Sequence, residues 1–261
     1  MKSHWTLTVL IALILALLGG VYLAGYRVGP GLSLVKTREL TINDLYPGTT
    51  IYADLTPRGT VASSSSSFSL TLTPGQHSIL VNAGGYNPWE GLVTVPEDAD
   101  VRVSAFLIPI VPETVKPVEL AGTDATNALK TISATQLPTE ASPLSLLGGC
   151  ASVYVSSNRV LAVGTTSPAC AAVPYLSVSE GSSTPTVIFS PVDTMRSVVA
   201  YPERSDALVV AVGTQIYAIA LDPRTPQTFA KLISGAAPML AEGSDGTVVI
   251  EDAGHAYSLK L

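Results

Sequence analysis

The chain has 261 residues, and only 13% of them are charged, against roughly 25% in an average soluble domain. Because 21 Gly, 19 Pro and many β-branched residues replace strong helix formers, the composition excludes a helical bundle and predicts an all-β fold outside any membrane segment. The net charge is −6, all acidic residues follow Lys36, and the densest basic grouping is the pair Lys36 and Arg38, which excludes a nucleic-acid partner.

Residues 1–26 are predicted to form a transmembrane signal-anchor. The stretch that begins at Trp5 and ends at Ala24, WTLTVLIALILALLGGVYLA, carries no charge, and a helix of this length spans about 30 Å of hydrocarbon. Trp5 at one end, with Tyr22 and Tyr26 at the other, suits the two membrane interfaces. We therefore expect a single-pass membrane protein.

A cleaved signal peptide is the alternative interpretation of this segment. It predicts an apolar stretch of only about 7–15 residues, followed by a cleavage site flanked by small residues. Here the stretch is longer, and the large side chains of Leu18 and Tyr22 stand three residues before the candidate cleavage points. The few basic residues leave the orientation open. Because no second apolar stretch of spanning length follows, we expect the bulk of the chain to be extracytoplasmic.

Residues 27–37 are a short Gly/Pro tether, and residues 38–109 are predicted to form a small β-sandwich. Phe68, Leu70 and Leu72 alternate with Ser and Thr, as in a strand with one buried face. Six segments rich in β-branched or aromatic residues, each bounded by turn residues, recur roughly every 10–14 residues. These segments are 37–44, 49–55, 67–73, 77–83, 91–96 and 101–107.

Four stretches of this block carry turn and strand motifs: LYPGTTIYAD (45–54), LTPGQHSI (72–79), GGY (84–86) and VRVSAFL (101–107). Together they resemble the PEGA domain family, most specifically in the Pro-Gly-Gln-His turn and the Gly-Tyr pair. Where that family has an Asp-Gly turn, this chain has Asp54-Leu55, and a serine run at 63–67 replaces the Gly-containing segment that follows. The resemblance implies a surface-associated, non-catalytic adaptor module and assigns no site residue.

Residues 110–149 are predicted to form a Pro/Thr-rich linker. Prolines interrupt a stretch of Thr, Ala and Val that has no steady hydrophobic period, which is typical of an extended spacer. Within it, TNALKTISATQL (126–137) is compatible with a short helix.

Two cysteines, Cys150 and Cys170, border a segment that reads as two strands about a turn at Ser157-Asn158. Such a hairpin brings its ends together, so a disulfide between the two cysteines is one interpretation. It requires an oxidising compartment, in agreement with export. A pair of buried free thiols is the other interpretation.

Residues 150–261 are predicted to form incomplete β-propeller-like sheets. The segment 196–233 resembles one four-stranded blade, 237–261 repeats its first three strands, and 152–190 resembles a degenerate copy, with a period of about 40 residues. At most three blades are present, whereas closed propellers have about four to eight. An open sheet edge must therefore be covered by a second copy of the chain, by a partner, or by the linker folding back.

No Gly-x-Ser-x-Gly, His-Glu-x-x-His, Walker A or Gly-x-Gly-x-x-Gly motif is present in the sequence. His77 is expected to be a structural strand residue and His255 to lie beside a hairpin turn. The acidic segment 243–252 lacks the oxygen-ligand spacing of a calcium loop. We therefore predict that the protein is not an enzyme, with no catalytic residue, no metal site and no cofactor.

These features predict a membrane-anchored, extracytoplasmic, non-catalytic PEGA domain-containing protein. Its β-rich modules would bind another envelope protein or a cell-surface polymer, and open sheet edges would also allow a homo-oligomer. The alternative is an accessory or sensor subunit of an exported enzyme or of a secretion or signalling complex.

Overall fold

The computed structural model describes residues 2–23, 25–28, 34–111, 116–165, 170, 175–176, 184–224, 226–243 and 246–261. Within these ranges most regular structure is β, with two α-helices, so the predicted all-β class is confirmed. The chain divides into two compact units. Unit 1 comprises Met1–Val81 and Glu90–Ala105, and unit 2 comprises Asn82–Trp89 and Phe106–Leu261.

Unit 1 begins with helix α1, Lys2–Leu23. Gly25, just beyond the helix, has the left-handed conformation that glycine adopts without a steric penalty. A short hairpin follows, formed by β1 (Tyr26–Val28) and β2 (Leu34–Lys36). The amide and the hydroxyl of Thr37 both donate to the Gly25 carbonyl, at 2.8 and 2.7 Å, and so join the hairpin to the end of the helix.

None of the helices in the described part of the chain combines the length and the apolar character that crossing a membrane requires. The predicted transmembrane helix over residues 5–24 is therefore not supported by the structure. The large apolar side chains of α1 between Val9 and Leu18 are nevertheless exposed, with exposed fractions between 46% and 65%.

The rest of unit 1 consists of two sheets. Its strands are β3 (Arg38–Asn43), β4 (Thr50–Ala53), β5 (Thr56–Thr60), β6 (Phe68–Leu72), β7 (Gly75–Asn82), β8 (Trp89–Val95) and β9 (Val101–Ser104). One sheet has the order β6-β3-β9, with β3 antiparallel to β6 and parallel to β9, and the other has the order β5-β4-β7-β8. In β3, β4, β6, β7 and β8 the buried residues alternate with more exposed ones, as Leu40 and Ile42 do in β3, which is the pattern of a β-sandwich.

Strand β5 was not among the six predicted strands. Its sequence, TPRGT, lacks an apolar alternation, and four of its five residues are exposed because β5 lies at the edge of its sheet. Pro57 is tolerated there since an edge strand need not donate every amide to a neighbour. A strand without a buried face leaves no hydrophobic pattern in the sequence.

Unit 2 contains three four-stranded antiparallel sheets. Its elements are β10 (Val118–Glu119), α2 (Gly122–Ala134), β11 (Leu144–Leu146), β12 (Ala151–Ser156), β13 (Arg159–Gly164), β14 (Thr186–Phe189), β15 (Met195–Ala200), β16 (Ala207–Val212), β17 (Gln215–Ala220), β18 (Phe229–Ser234), β19 (Met239–Glu242), β20 (Thr247–Asp252) and β21 (His255–Lys260). We name them the first sheet (β11-β12-β13-β14), the second sheet (β15-β16-β17-β18) and the third sheet (β10-β21-β20-β19).

The second sheet lies between the other two, and its strand β16, ALVVAV, is buried at all six positions. Leu208, Val210 and Val212 pack in a cluster with apolar residues of the first sheet. Ala207, Val209 and Ala211 point to the opposite face and pack with apolar residues of the third sheet. A strand buried on both faces reads as a continuous apolar run, as β16 does.

The segment predicted as a linker, 110–149, contains β10, α2 and β11 instead of an extended spacer. Strand β10 pairs with β21 and supplies the fourth strand of the third sheet. Helix α2 packs against β19, β20 and β21, with Ala128 and Ile132 buried. An open sheet edge was expected to be covered by a second copy of the chain, by a partner or by the linker. In the structure, the folded-back linker segment covers the third sheet.

Candidate functional site

A cavity of about 710 Å³ opens in unit 2, and we call it the loop cavity. It is lined by the loops that join β11 to β12, β15 to β16 and β19 to β20, so that one loop from each sheet contributes to the lining. The first sheet contributes Gly148 and Gly149 after β11, the second contributes residues 201–205 after β15, and the third contributes residues at both ends of the loop between β19 and β20.

The second-sheet loop turns sharply at Tyr201-Pro202-Glu203-Arg204. The Arg204 amide donates to the Tyr201 carbonyl at 3.2 Å, and Glu203 has a φ of 60°. Proline at the second position and a positive φ at the third are the features of a type II turn. The turn places the Glu203 side chain in the wall of the loop cavity.

The loops of the first and third sheets approach this turn closely. The Leu147 amide donates to the Ser205 carbonyl at 2.9 Å. In the third sheet, Gly246 has a φ of 70°, and a Cβ atom at that position would lie 2.8 Å from Oε1 of Glu203. Gly246 is required there for both reasons, because any side chain would be strained and would displace the Glu203 carboxylate.

The charge of the loop cavity is negative. Arg204 donates from Nε and Nη2 to the two carboxylate oxygens of Asp206, at 2.9 and 2.8 Å, and its guanidinium also lies 4.9 Å from the centroid of the Phe106 ring. This pairing neutralises the one basic residue of the lining. Glu203 and Glu242 are both exposed, and neither makes an ion pair within the part of the chain that the structure describes.

The lining offers carboxylates, hydroxyls and main-chain groups, the last because four of its residues are glycines. Among the described lining residues there is no histidine or cysteine to activate a nucleophile. Over all described residues, no group of three or more His, Cys, Asp or Glu side chains is placed to hold a metal ion.

His77 belongs to unit 1, where it joins two loops. Its Nδ1 lies 2.7 Å from Oδ2 of Asp54, and its Nε2 lies 2.8 Å from the Thr73 carbonyl oxygen. The His77 side chain is only 12% exposed. Since both neighbours are hydrogen-bond acceptors, this geometry is that of a structural histidine whose two nitrogens are both in use.

The Asp54 carboxylate is the centre of this contact. Partial burial raises its pKa, but hydrogen bonds from His77 and from the Ser78 amide lower the pKa by more, so that it falls below its ordinary value of 3.8. Asp54 and Leu55 form the two-residue turn between β4 and β5, both with positive φ. This turn explains physically why Asp and His stand at these two positions of the sequence.

His255 is paired with Glu119 at the junction of β21 and β10. Its Nδ1 lies 2.9 Å from the Glu119 carboxylate, and both side chains are about 60% exposed. An ion pair this exposed contributes little to stability. It links β10 to β21 within the third sheet.

Cys150 and Cys170 are joined in a disulfide, with their Cα atoms 5.3 Å apart. Cys150 follows Gly148 and Gly149, so the bond fixes the chain beside the first-sheet wall of the loop cavity. In the acidic segment 243–252, Gly243 and Thr247–Asp252 belong to the hairpin of β19 and β20, whereas Ser244 and Asp245 lie outside the described residues.

The sequence analysis missed two polar side chains that hold the sheets of unit 2 together. Asn158 accepts a hydrogen bond from the Met195 amide and donates to the carbonyls of Pro191 and Asp193, which lie between the first and second sheets. Asp252 accepts from the amides of Ala236 and Ala237 between the second and third sheets. Asn158 lies in the turn between β12 and β13, and Asp252 lies at the turn between β20 and β21. This shared position at a hairpin turn was the sequence feature that could have indicated their role.

In the comparisons with known proteins, no family model matches the chain, and no curated protein matches it either.

Proposed function

We propose that this chain is a membrane-anchored, extracytoplasmic, non-catalytic protein whose unit 2 binds a partner in the loop cavity. The observation that carries the proposal is that one loop from each of the three sheets contributes to the lining of one cavity of about 710 Å³. A concave surface with a few convergent polar groups is the usual form of a binding site.

The proposed anchor is α1. Eight large apolar side chains between positions 9 and 18 average about half exposed, and they lie on all sides of the helix. Water solvates such a surface poorly, whereas lipid solvates it well. An aqueous location would require another protein to cover the same surface.

The proposed extracytoplasmic location is supported by the disulfide. Bonds such as the one between Cys150 and Cys170 persist in oxidising compartments and are rare where thiols are kept reduced. The disulfide thus supports the orientation in which the chain after the anchor lies on the extracytoplasmic side.

The proposed role of unit 1 is that of a PEGA-like adaptor module. The seven-stranded sandwich and the Asp54–His77 contact give physical roles to the motifs that resemble this family. No ligand site is assigned to this unit.

The test of the binding function is site-specific photo-crosslinking in cells that express the full chain. A photoreactive phenylalanine analogue replaces Ser205, which lines the loop cavity, and in a matched control it replaces Glu140, which is exposed and does not line it. We expect a discrete crosslinked species from position 205 that position 140 does not give. Equal crosslinking from both positions, or none from 205, would contradict the proposal.

A further inference from the structure

We infer that the loop cavity receives a basic side chain, lysine or arginine, presented by a protein partner. This inference rests on the proposed binding function and names the chemistry of the partner.

The loop cavity has space for a side chain of another protein. The cavity has a volume of about 710 Å³ and is open to solvent, so it has room for a side chain that projects from another protein. Four residues of its lining are glycines, which have no side chain to fill this space.

The wall contains one guanidinium group, that of Arg204, and residues outside the lining compensate its charge. Arg204 makes a two-pronged contact with Asp206 and lies over the face of the Phe106 ring. Since Arg204 and Asp206 neutralise each other, they do not repel a second cation.

Glu203 and Glu242 supply the remaining charge. Both carboxylates line the cavity, and no described basic side chain of the protein pairs with them. The Glu203 carboxylate lies close to Gly246, where an added Cβ would come within 2.8 Å of Oε1. A carboxylate in a concave wall attracts a cation more strongly than one on a convex surface, since less water screens it.

The same observations argue against an uncharged polysaccharide as the occupant. The aromatic rings beside the cavity face each other: Phe106 and Tyr201 form an edge-to-face pair with centroids 4.9 Å apart, and both are buried. A sugar ring therefore finds no exposed aromatic face among the described lining residues.

The test uses the full chain in detergent micelles and a fluorescent hexa-lysine peptide, with binding followed by fluorescence anisotropy. We expect Glu203→Gln and Glu242→Gln each to weaken binding about 10-fold or more, as expected for loss of a charge-assisted contact. Glu140→Gln, which removes an exposed carboxylate outside the cavity, leaves the affinity unchanged. Hexa-glutamate does not bind, and raising the salt from about 0.05 to 0.5 M weakens the hexa-lysine complex.

A pair of glycine variants separates the geometry of the cavity from general stability. Gly246 and Gly254 both have positive φ, but a Cβ at Gly254 meets nothing within 4 Å, whereas a Cβ at Gly246 meets Glu203. Both changes to alanine strain the backbone. Only Gly246→Ala is expected to weaken hexa-lysine binding.

Equal affinity of hexa-lysine for the wild type and both glutamate variants would overturn the inference. So would the absence of hexa-lysine binding in a protein that still crosslinks from position 205, and in that case the proposed binding function stands with an uncharged or acidic ligand. The absence of both hexa-lysine binding and crosslinking would overturn the inference and the proposed function together.

Discussion

His77 shows at the scale of one residue how a motif that suggests chemistry can serve architecture. Its two ring nitrogens are directed at the Asp54 carboxylate and the Thr73 carbonyl, which leaves neither nitrogen for a substrate or a metal. The histidine therefore ties the turn after β4 to the turn before β7. Loss of both hydrogen bonds in His77→Ala should cost about 1–2 kcal/mol of stability.

The pH dependence of unit 1 follows from the lowered pKa of Asp54. A carboxyl group whose pKa is lower in the folded state stabilises that state at pH above its unfolded value of 3.8, and the contribution disappears as the pH falls through the lower, folded value. We expect urea unfolding of the full chain, followed by circular dichroism, to show a smaller pH dependence below pH 4 in Asp54→Asn than in the wild type. Identical pH profiles would contradict this assignment.

Leu55 occupies a position that suits glycine. Its φ is 61°, its side chain is 88% exposed, and it forms the turn between Ala53 and Thr56 together with Asp54. Turns of this two-residue type favour Asn-Gly or Asp-Gly. Leu55→Gly should stabilise the protein by about 0.5–1 kcal/mol, because relief of left-handed strain exceeds the entropy cost of glycine.

A matched control for this change is Leu92→Gly. Leu92 lies inside β8, is 52% exposed and does not have a positive φ. Glycine there loses strand stability without relieving strain, so thermal unfolding should shift downward. A lower melting temperature for Leu55→Gly would show that the turn conformation is wrong.

At the scale of the elements, α2 is the part of unit 2 whose role the sequence conveyed least. Its helix has no side-chain N-cap, begins at a glycine, and buries only Ala128 and Ile132. Helices this short depend on tertiary contacts more than on their own propensity. The packing of α2 on the third sheet is therefore what keeps it helical.

The test of this role is Ile132→Ala, with Thr131→Ala as the neighbouring exposed control. Loss of a buried isoleucine side chain typically costs about 2–5 kcal/mol, whereas an exposed threonine changes stability by well under 1 kcal/mol. We expect the first variant to unfold at clearly lower urea concentration in the full chain. Equal midpoints for the two variants would mean that α2 does not cover the third sheet.

Strands that bury one or both faces were predictable from the sequence, and elements held by a neighbour were not. The alternation of Phe68, Leu70 and Leu72 with polar residues predicts β6. The continuous apolar run of β16 predicts a strand with two buried faces. By contrast, β10 has two residues, both exposed, and exists because β21 offers it an edge. The loop cavity was not predictable because its residues come from three loops far apart in sequence, and nothing local marks their convergence.

At the scale of the whole molecule, both units bury apolar residues between packed β-sheets, but they do so with different arrangements of strands. Unit 1 buries the inner faces of two sheets, and unit 2 stacks three sheets and completes the last with a strand and a helix from the preceding segment. The completed third sheet explains how three repeats fold without closing a ring, since the terminal repeat of such a stack needs a cap. The proposed binding site of unit 2 lies where the loops of its three sheets meet.

The account depends most on unit 2 being held outside the membrane by the N-terminal helix. The most direct measurement is protease accessibility in intact spheroplasts that express the full chain, with antibodies against unit 2 and against a cytosolic marker. We predict that added protease removes unit 2 while the marker stays intact, and that unit 2 sediments with membranes after alkaline extraction only when α1 is present. Protection of unit 2 until the membrane is lysed, or its release into the soluble fraction with α1 intact, would contradict the account.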